Sequence, residues 1–220
     1  LHALKKKGFE EPTPIQQKTI PMLLKGEVDI IGQAQTGTGK TAAFGLPILE
    51  RIKEKSKTVQ ALILVPTREL AIQVAEELNS YKGEKSLQIA PIYGGKSIEE
   101  QFRRLKKGVD VVVGTPGRIL DHLKRKSLKL ENISYLVLDE ADEMISMGFK
   151  DDMEKILKSI SNKESNTWLF SATMDKNVRK VADTYLEKPE FVQINKSEVV
   201  PSTVEQLYYV TRESNKPEIL

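Results

Sequence analysis

The sequence has 220 residues, 39% of them hydrophobic and 30% charged, with a net charge of +3 and no cysteine. That balance describes a globular chain able to bury one large core, and it excludes a disordered polymer, disulfides and thiolate metal sites. No apolar run approaches the ~20 residues that a bilayer-crossing helix needs, no secretory leader is visible, and the modest positive charge does not by itself indicate nucleic acid.

In chain order, Lys5-Lys6-Lys7 reads as a solvated helix face. A β-branched run at Val28–Gly32 predicts the first strand, and Thr41–Ile52 a helix with apolar residues three and four apart. The alternation continues with strand Ala61–Val65, helix Glu69–Ser80, strand Leu87–Tyr93, helix Ile98–Lys106, strand Val109–Gly114 and helix Arg118–Lys126. Strand Tyr135–Asp139 precedes helix Met153–Ile160, strand Thr167–Ser171 precedes helix Lys176–Tyr185, and Phe191–Ile194 closes the series. Such alternation predicts an α/β fold with a mostly parallel seven-stranded sheet flanked by helices on both faces. Trp168 reads as core. His2 and His122, far apart in sequence, read as surface side chains and not as metal ligands. Residues 1–195 form the main domain in this reading. The polar stretch 196–202, with Pro201, reads as a linker. The alternating Thr203–Thr211 reads as the first strand of a second domain, of which 203–220 is only the start.

Right-handed crossovers bring the strand ends of one sense to one edge of the sheet, where open α/β sheets bind ligands. The polar motifs all follow predicted strands. Ala34-Gln35-Thr36-Gly37-Thr38-Gly39-Lys40-Thr41 lies between a strand and a helix, as a phosphate-cradling loop does, with Ala34 where the general pattern has a glycine. Glycines let successive backbone N–H groups point at phosphate oxygens, the helix N-terminus adds positive potential, Lys40 can reach the β- and γ-phosphates, and the Thr41 hydroxyl can ligate Mg²⁺. Asp139-Glu140-Ala141-Asp142 ends an apolar strand. There Asp139 can hold the metal and Glu140 can orient or deprotonate water. The alternative for two acidic residues at this point is a helix N-cap favoured by the dipole.

These residues, with Ser171-Ala172-Thr173, resemble the DEAD-box family of ATP-dependent RNA helicases, specifically its N-terminal RecA-like domain. Gly8-Phe9-Glu10-Glu11-Pro12-Thr13-Pro14-Ile15-Gln16, Pro66-Thr67-Arg68-Glu69-Leu70-Ala71, Gly94-Gly95, Gln101-Phe102-Arg103-Arg104 and Thr115-Pro116-Gly117-Arg118 carry the same resemblance. The family's Ala-x-Thr-Gly-x-Gly-Lys-Thr loop accounts for Ala34. The resemblance implies that the Gln16 amide reads adenine and that Phe9 packs beside the base, while Phe9 could equally anchor the first helix. It implies Asp142, Ser171 and Thr173 as the coupling between nucleotide and RNA. It also implies Pro66, Thr67, Arg68, Gly94, Gly95, Thr115, Pro116, Gly117 and Arg118 as the RNA surface, touching sugar and phosphate without reading bases. Gln101 and Arg104 would brace that surface.

The expected cofactors are ATP and Mg²⁺. The expected partners are RNA and a second RecA-like domain supplying an arginine finger, with no membrane, in a cytoplasmic monomer. Without that second domain the chain should be nearly inactive. A DNA or RNA translocase, another phosphate-loop switch, and a non-catalytic RNA clamp or scaffold are the rival readings. Intact Lys40, Thr41, Asp139 and Glu140 argue against the last.

Overall fold

The computed structural model describes residues 2–26, 28–56, 58–162 and 164–194, the side chains of residues 2 and 3 excepted. The predicted linker and second-domain start, 196–220, lie outside the described residues. Seven strands are present: β1 (Ile30–Gln33), β2 (Ala61–Leu64), β3 (Ile89–Ile92), β4 (Val111–Gly114), β5 (Tyr135–Leu138), β6 (Asn166–Ser171) and β7 (Glu190–Gln193). They form one sheet in the order β3-β4-β2-β5-β6-β1-β7. Every pairing is parallel, so "mostly parallel" becomes wholly parallel.

The helices between them are α1 (His2–Lys6), α2 (Pro14–Lys25), α3 (Lys40–Arg51), α4 (Arg68–Tyr81), α5 (Ile98–Lys106), α6 (Pro116–Lys124), α7 (Ala141–Ser146), α8 (Lys150–Ser159) and α9 (Lys176–Tyr185). Two of these, α2 and α7, are absent from the sequence reading. Pro14 and Pro21 interrupt the α2 pattern, yet Pro14 stands at the helix start, where its missing N–H costs nothing. The six residues of α7 are too few to display a period.

Strand neighbours point to opposite faces, and each face has its own core. Ile30, Ile63, Val113, Val137 and Phe170 meet Phe44, Ile48, Val74 and Leu78 of α3 and α4. Ile31, Leu62, Val112, Leu136 and Leu169 meet Ile119, Met144, Ile156 and Val178 on the other side. From β1 to β6 both faces are therefore largely dry, which is why those strands are nearly all apolar, while the edge strand β7 is exposed at three of its four residues. Trp168 is buried and donates its indole N–H to the Val28 carbonyl at 3.1 Å. Among the described residues no helix is long and apolar enough to cross a membrane.

Candidate active site and nucleic-acid face

β5, β6 and β1 are adjacent, so the loops at their C-terminal ends share one edge. The loop after β1 is closed by its own groups: the Thr38 hydroxyl donates to the Gln35 carbonyl at 2.7 Å, and the Lys40 ammonium folds back to the Ala34 carbonyl at 3.2 Å. Gly37 and Gly39 both have φ above +80°, the left-handed conformation that glycine adopts without strain. At Gly39 a side chain is also excluded, since a Cβ would run into the Gln16 amide. Both ends of that amide are engaged. Its oxygen accepts from the Thr13 N–H at 3.1 Å and its nitrogen donates to the Gly39 carbonyl at 3.1 Å, so Gln16 is tied to the phosphate loop itself. Phe9 packs edge-on to Tyr81 of α4 with ring centroids 5.9 Å apart, the contact expected of a helix anchor.

Across the loop lies the acidic pair. Asp139 is 3% exposed. Burial pushes its carboxyl up to about 6, with Lys40 pulling the other way and the Glu140 charge adding to the rise. Glu140 has φ +53° and ψ +49°, an uncommon conformation for a side chain of this size. It turns the chain sharply from β5 into α7, and it occupies the N-cap position that the alternative reading had given the acidic residues. Its carboxylate accepts a long bond, 3.4 Å, from the Thr36 hydroxyl. The phosphate loop and the acidic pair, 104 residues apart in sequence, thus face each other.

Asp142 closes a second knot. One carboxylate oxygen accepts from both the Thr173 N–H and the Thr173 hydroxyl at 2.9 Å, while the Ser171 hydroxyl receives the Asp142 N–H at 3.3 Å and donates to the Thr173 carbonyl at 2.7 Å. Burial raises this carboxyl, but the hydrogen bonds of the knot, those from the Thr173 hydroxyl and N–H among them, outweigh it and hold it below the usual range. Neither hydroxyl caps the following helix, because Asp175 does that.

The remaining loops flank this centre at β2, β4 and β3. Pro66 and Thr67 lead into α4, where the Thr67 hydroxyl caps the Leu70 N–H at 3.2 Å. The Arg68 side chain is 56% exposed and its guanidinium lies beside Gly95, where a Cβ would come within 3.4 Å of it. Thr115 is the N-cap of α6, which begins at Pro116. Gly117 and Arg118 therefore belong to its first turn and do not precede it, although their N–H groups remain helix-start donors. The Arg118 guanidinium is largely committed: it donates to the Lys96 carbonyl at 3.0 Å and the Gln101 amide oxygen at 3.4 Å, and its side chain is 15% exposed.

Two expectations are corrected. His122 is not on the surface: it is 0% exposed, with one ring nitrogen 3.1 Å from the Gln101 amide oxygen and the other 2.8 Å from the Ser127 hydroxyl. Burial, followed by the Arg118 charge, lowers its affinity for a proton. Gln101 also donates to the Tyr93 carbonyl at 2.9 Å, so it joins the loop carrying Gly94-Gly95 to α6. Arg104 does not share in that brace, because its guanidinium donates to the Ile89 carbonyl at 2.9 Å, at the other end of β3. The sequence reading missed His122 as the third member of the Gln101 cluster. Its position four residues after Arg118 on α6, one turn along the same face, was the available signal.

Residues 13–181 match the family model described as DEAD/DEAH box helicase. The chain belongs to the DEAD/DEAH box helicase family. The helicases it resembles include the ATP-dependent RNA helicase CshA of Listeria monocytogenes, 53% identical over 97% of this chain and 41% of the relative. CshA of Geobacillus kaustophilus is 51% identical over 100% of this chain and 47% of the relative. Among solved structures, a DEAD box protein from the hyperthermophile Methanococcus jannaschii superposes with a TM-score of 0.87 at 48% identity, covering 99% of this chain and 58% of that one. The chain thus spans about half the length of the helicases it matches, and its sheet and flanking helices form a RecA-like domain.

Proposed function

We propose that the chain is the N-terminal ATP-binding domain of an ATP-dependent RNA helicase, and that Lys40, Asp139 and Glu140 carry its share of ATP hydrolysis. The observation that bears most weight is the apposition of the phosphate loop and the acidic pair, with Lys40 and the raised Asp139 carboxyl buried beneath. A carboxylate in that position is costly unless a cation joins it. The donors on offer, the Thr41 hydroxyl and the Asp139 carboxylate, are hard oxygens suited to Mg²⁺, which takes the rest of its shell from phosphates and water. When bound, it would neutralise charge on the phosphates being parted.

The chain's own residues do the rest. Backbone N–H groups of residues 35–41 surround the phosphates, and Lys40 exchanges its Ala34 carbonyl for phosphate oxygens. Glu140 orients the attacking water and receives its proton at the carboxylate now facing Thr36. Gln16 recognises adenine by giving up its bond to Gly39, since an amide can serve both the donor and the acceptor edge of that base. Arg68 with the Gly94-Gly95 loop and the first turn of α6 meets the RNA sugar-phosphate backbone, Arg118 shaping that surface from beneath. The second RecA-like domain follows in the full-length protein and supplies the missing arginine.

The test is ATP turnover by the full-length protein with and without single-stranded RNA. RNA-stimulated turnover that Glu140→Gln abolishes is the expected result. Turnover that Glu140→Gln leaves intact would refute the assignment of the base.

A further inference from the structure

Beside the Gly94-Gly95 loop, on the outer edge of the sheet, α5 and β3 enclose an open groove of about 420 Å³ whose charged wall has no part in the proposed function. β3 is the edge strand. The Ile92 and Gln88 carbonyls accept from Thr115 and Val111 of the β4 segment, so Ile89 and Pro91 turn their backbone groups outward. The outward groups are closed to a further strand: Pro91 has no N–H to give, and the Ile89 carbonyl already holds Arg104. A peptide adding in β-fashion therefore finds no ladder here.

The charge points elsewhere. Glu100, Arg103, Arg104 and Lys107 line the groove at a spacing that sets them on one stripe of helix α5 and its C-cap. Lys96, at the mouth, sits over the Tyr93 ring at 5.8 Å. Among the described residues the Arg103 and Lys107 side chains make no ion pair or hydrogen bond. Four cations thus face one carboxylate, along a wall that begins where the proposed RNA loop ends.

We infer that this groove carries the sugar-phosphate backbone of RNA just beyond the segment held at Gly94-Gly95, and so lengthens the RNA footprint of the domain on one side. The inference rests on the RNA reading above. Unpaired cations beside a polyanion path release counterions when occupied, which gives a measurable salt signature.

The experiment uses the full-length protein, uridine oligonucleotides just long enough to saturate the core site, and the same oligonucleotides extended at the 5′ or the 3′ end. The variants are the double change Arg103→Glu with Lys107→Glu, its milder counterpart Arg103→Gln with Lys107→Gln, and Arg68→Ala as reference. One of the two extensions should tighten wild-type binding. The double glutamate variant should remove that gain, roughly tenfold at low salt, with the salt slope falling by ~0.7 for each phosphate that is no longer neutralised. The glutamine variant should do so by about half, and the short strand should bind all the groove variants as it binds wild type. If the groove variants hold both extended strands as tightly as wild type does, the groove is not an RNA path. Equal losses on short and extended strands would also overturn it, since the charges would then act only through the general field. Arg68→Ala separates the two claims. If it weakens every strand while the groove variants weaken none, only the groove fails. If it too weakens none, the RNA face itself was misassigned.

Discussion

Lys40 and Glu140 serve the same reaction and should fail differently. Lys40→Ala removes charge-assisted bonds to phosphate worth about 1.5–3 kcal/mol each, so nucleotide affinity should fall in calorimetry. Glu140→Gln should bind ATP as wild type does and not turn it over. Gln16→Ala should narrow the preference for adenine over guanine nucleotides, which competition titration reads directly; an unchanged ratio would exclude the amide as the base reader. His122 carries a pH signature. Its folded-state proton affinity lies below the ordinary value, so as pH falls the unfolded chain takes up the proton first. Its contribution is present above the unfolded value of about pH 6.5 and is lost progressively as pH falls from there towards the lower folded-state value. Denaturant unfolding at about pH 7.5 and 5.5 should show that loss, and His122→Asn should flatten it. Lys40 and Asp139 were legible because strand, loop and helix fix their places from local sequence alone. The burial of His122 was not: the four-residue spacing from Arg118 places it on the same helix face, but that this face is covered depends on Gln101 reaching α6 from α5, a tertiary contact.

Between elements, the tie from Asp142 on α7 to the strand end at Ser171–Thr173 is the candidate relay from nucleotide to RNA. Thr173→Val removes one of the two bonds to that carboxylate and leaves the Thr173 N–H bond in place. The expected outcome is an unchanged KM for ATP with RNA-stimulated kcat lowered roughly tenfold, the scale of one bond to a charged group. A change in KM alone would assign the knot to nucleotide binding instead. Arg68 and Arg118 should also part company. The exposed Arg68 should give a sequence-independent loss of RNA affinity and a shallower salt slope on conversion to Ala. Arg118→Ala should in addition lower the melting temperature, because its guanidinium holds the Lys96 carbonyl and Gln101. The order of the seven strands and of the helices other than α2 and α7 was readable at this scale from period. Helix α7 was hidden because the feature that starts it, a left-handed Glu140, is a conformation that glycine or asparagine would have signalled and glutamate does not.

At the scale of the whole molecule, the proposed function has a second RecA-like domain closing on the sheet edge that carries the phosphate loop and the acidic pair. This chain alone should hydrolyse ATP far more slowly than the full-length protein, since an arginine donated across such a cleft is worth roughly 10³–10⁵ in rate in related hydrolases. Turnover of the two forms with single-stranded RNA measures the difference, and equal rates would remove the need for a second domain.

The sheet order also sets a timetable for synthesis. Of these seven strands β1 leaves the ribosome first, yet its neighbours are β6 and β7, at residues 166–171 and 190–193. Until Gln193 is out, Ile30 and Ile31 lack one or both flanking strands, and the phosphate loop hangs from a strand that is not yet docked. Long-range parallel pairing of this kind is slow and leaves apolar surface open while it waits. Nascent chains stalled near residue 160 should therefore fail to retain ATP and should recruit chaperones, while chains released past residue 194 should bind nucleotide. The phosphate loop, which precedes six of the seven strands, should therefore bind nucleotide only once the last of them has been made.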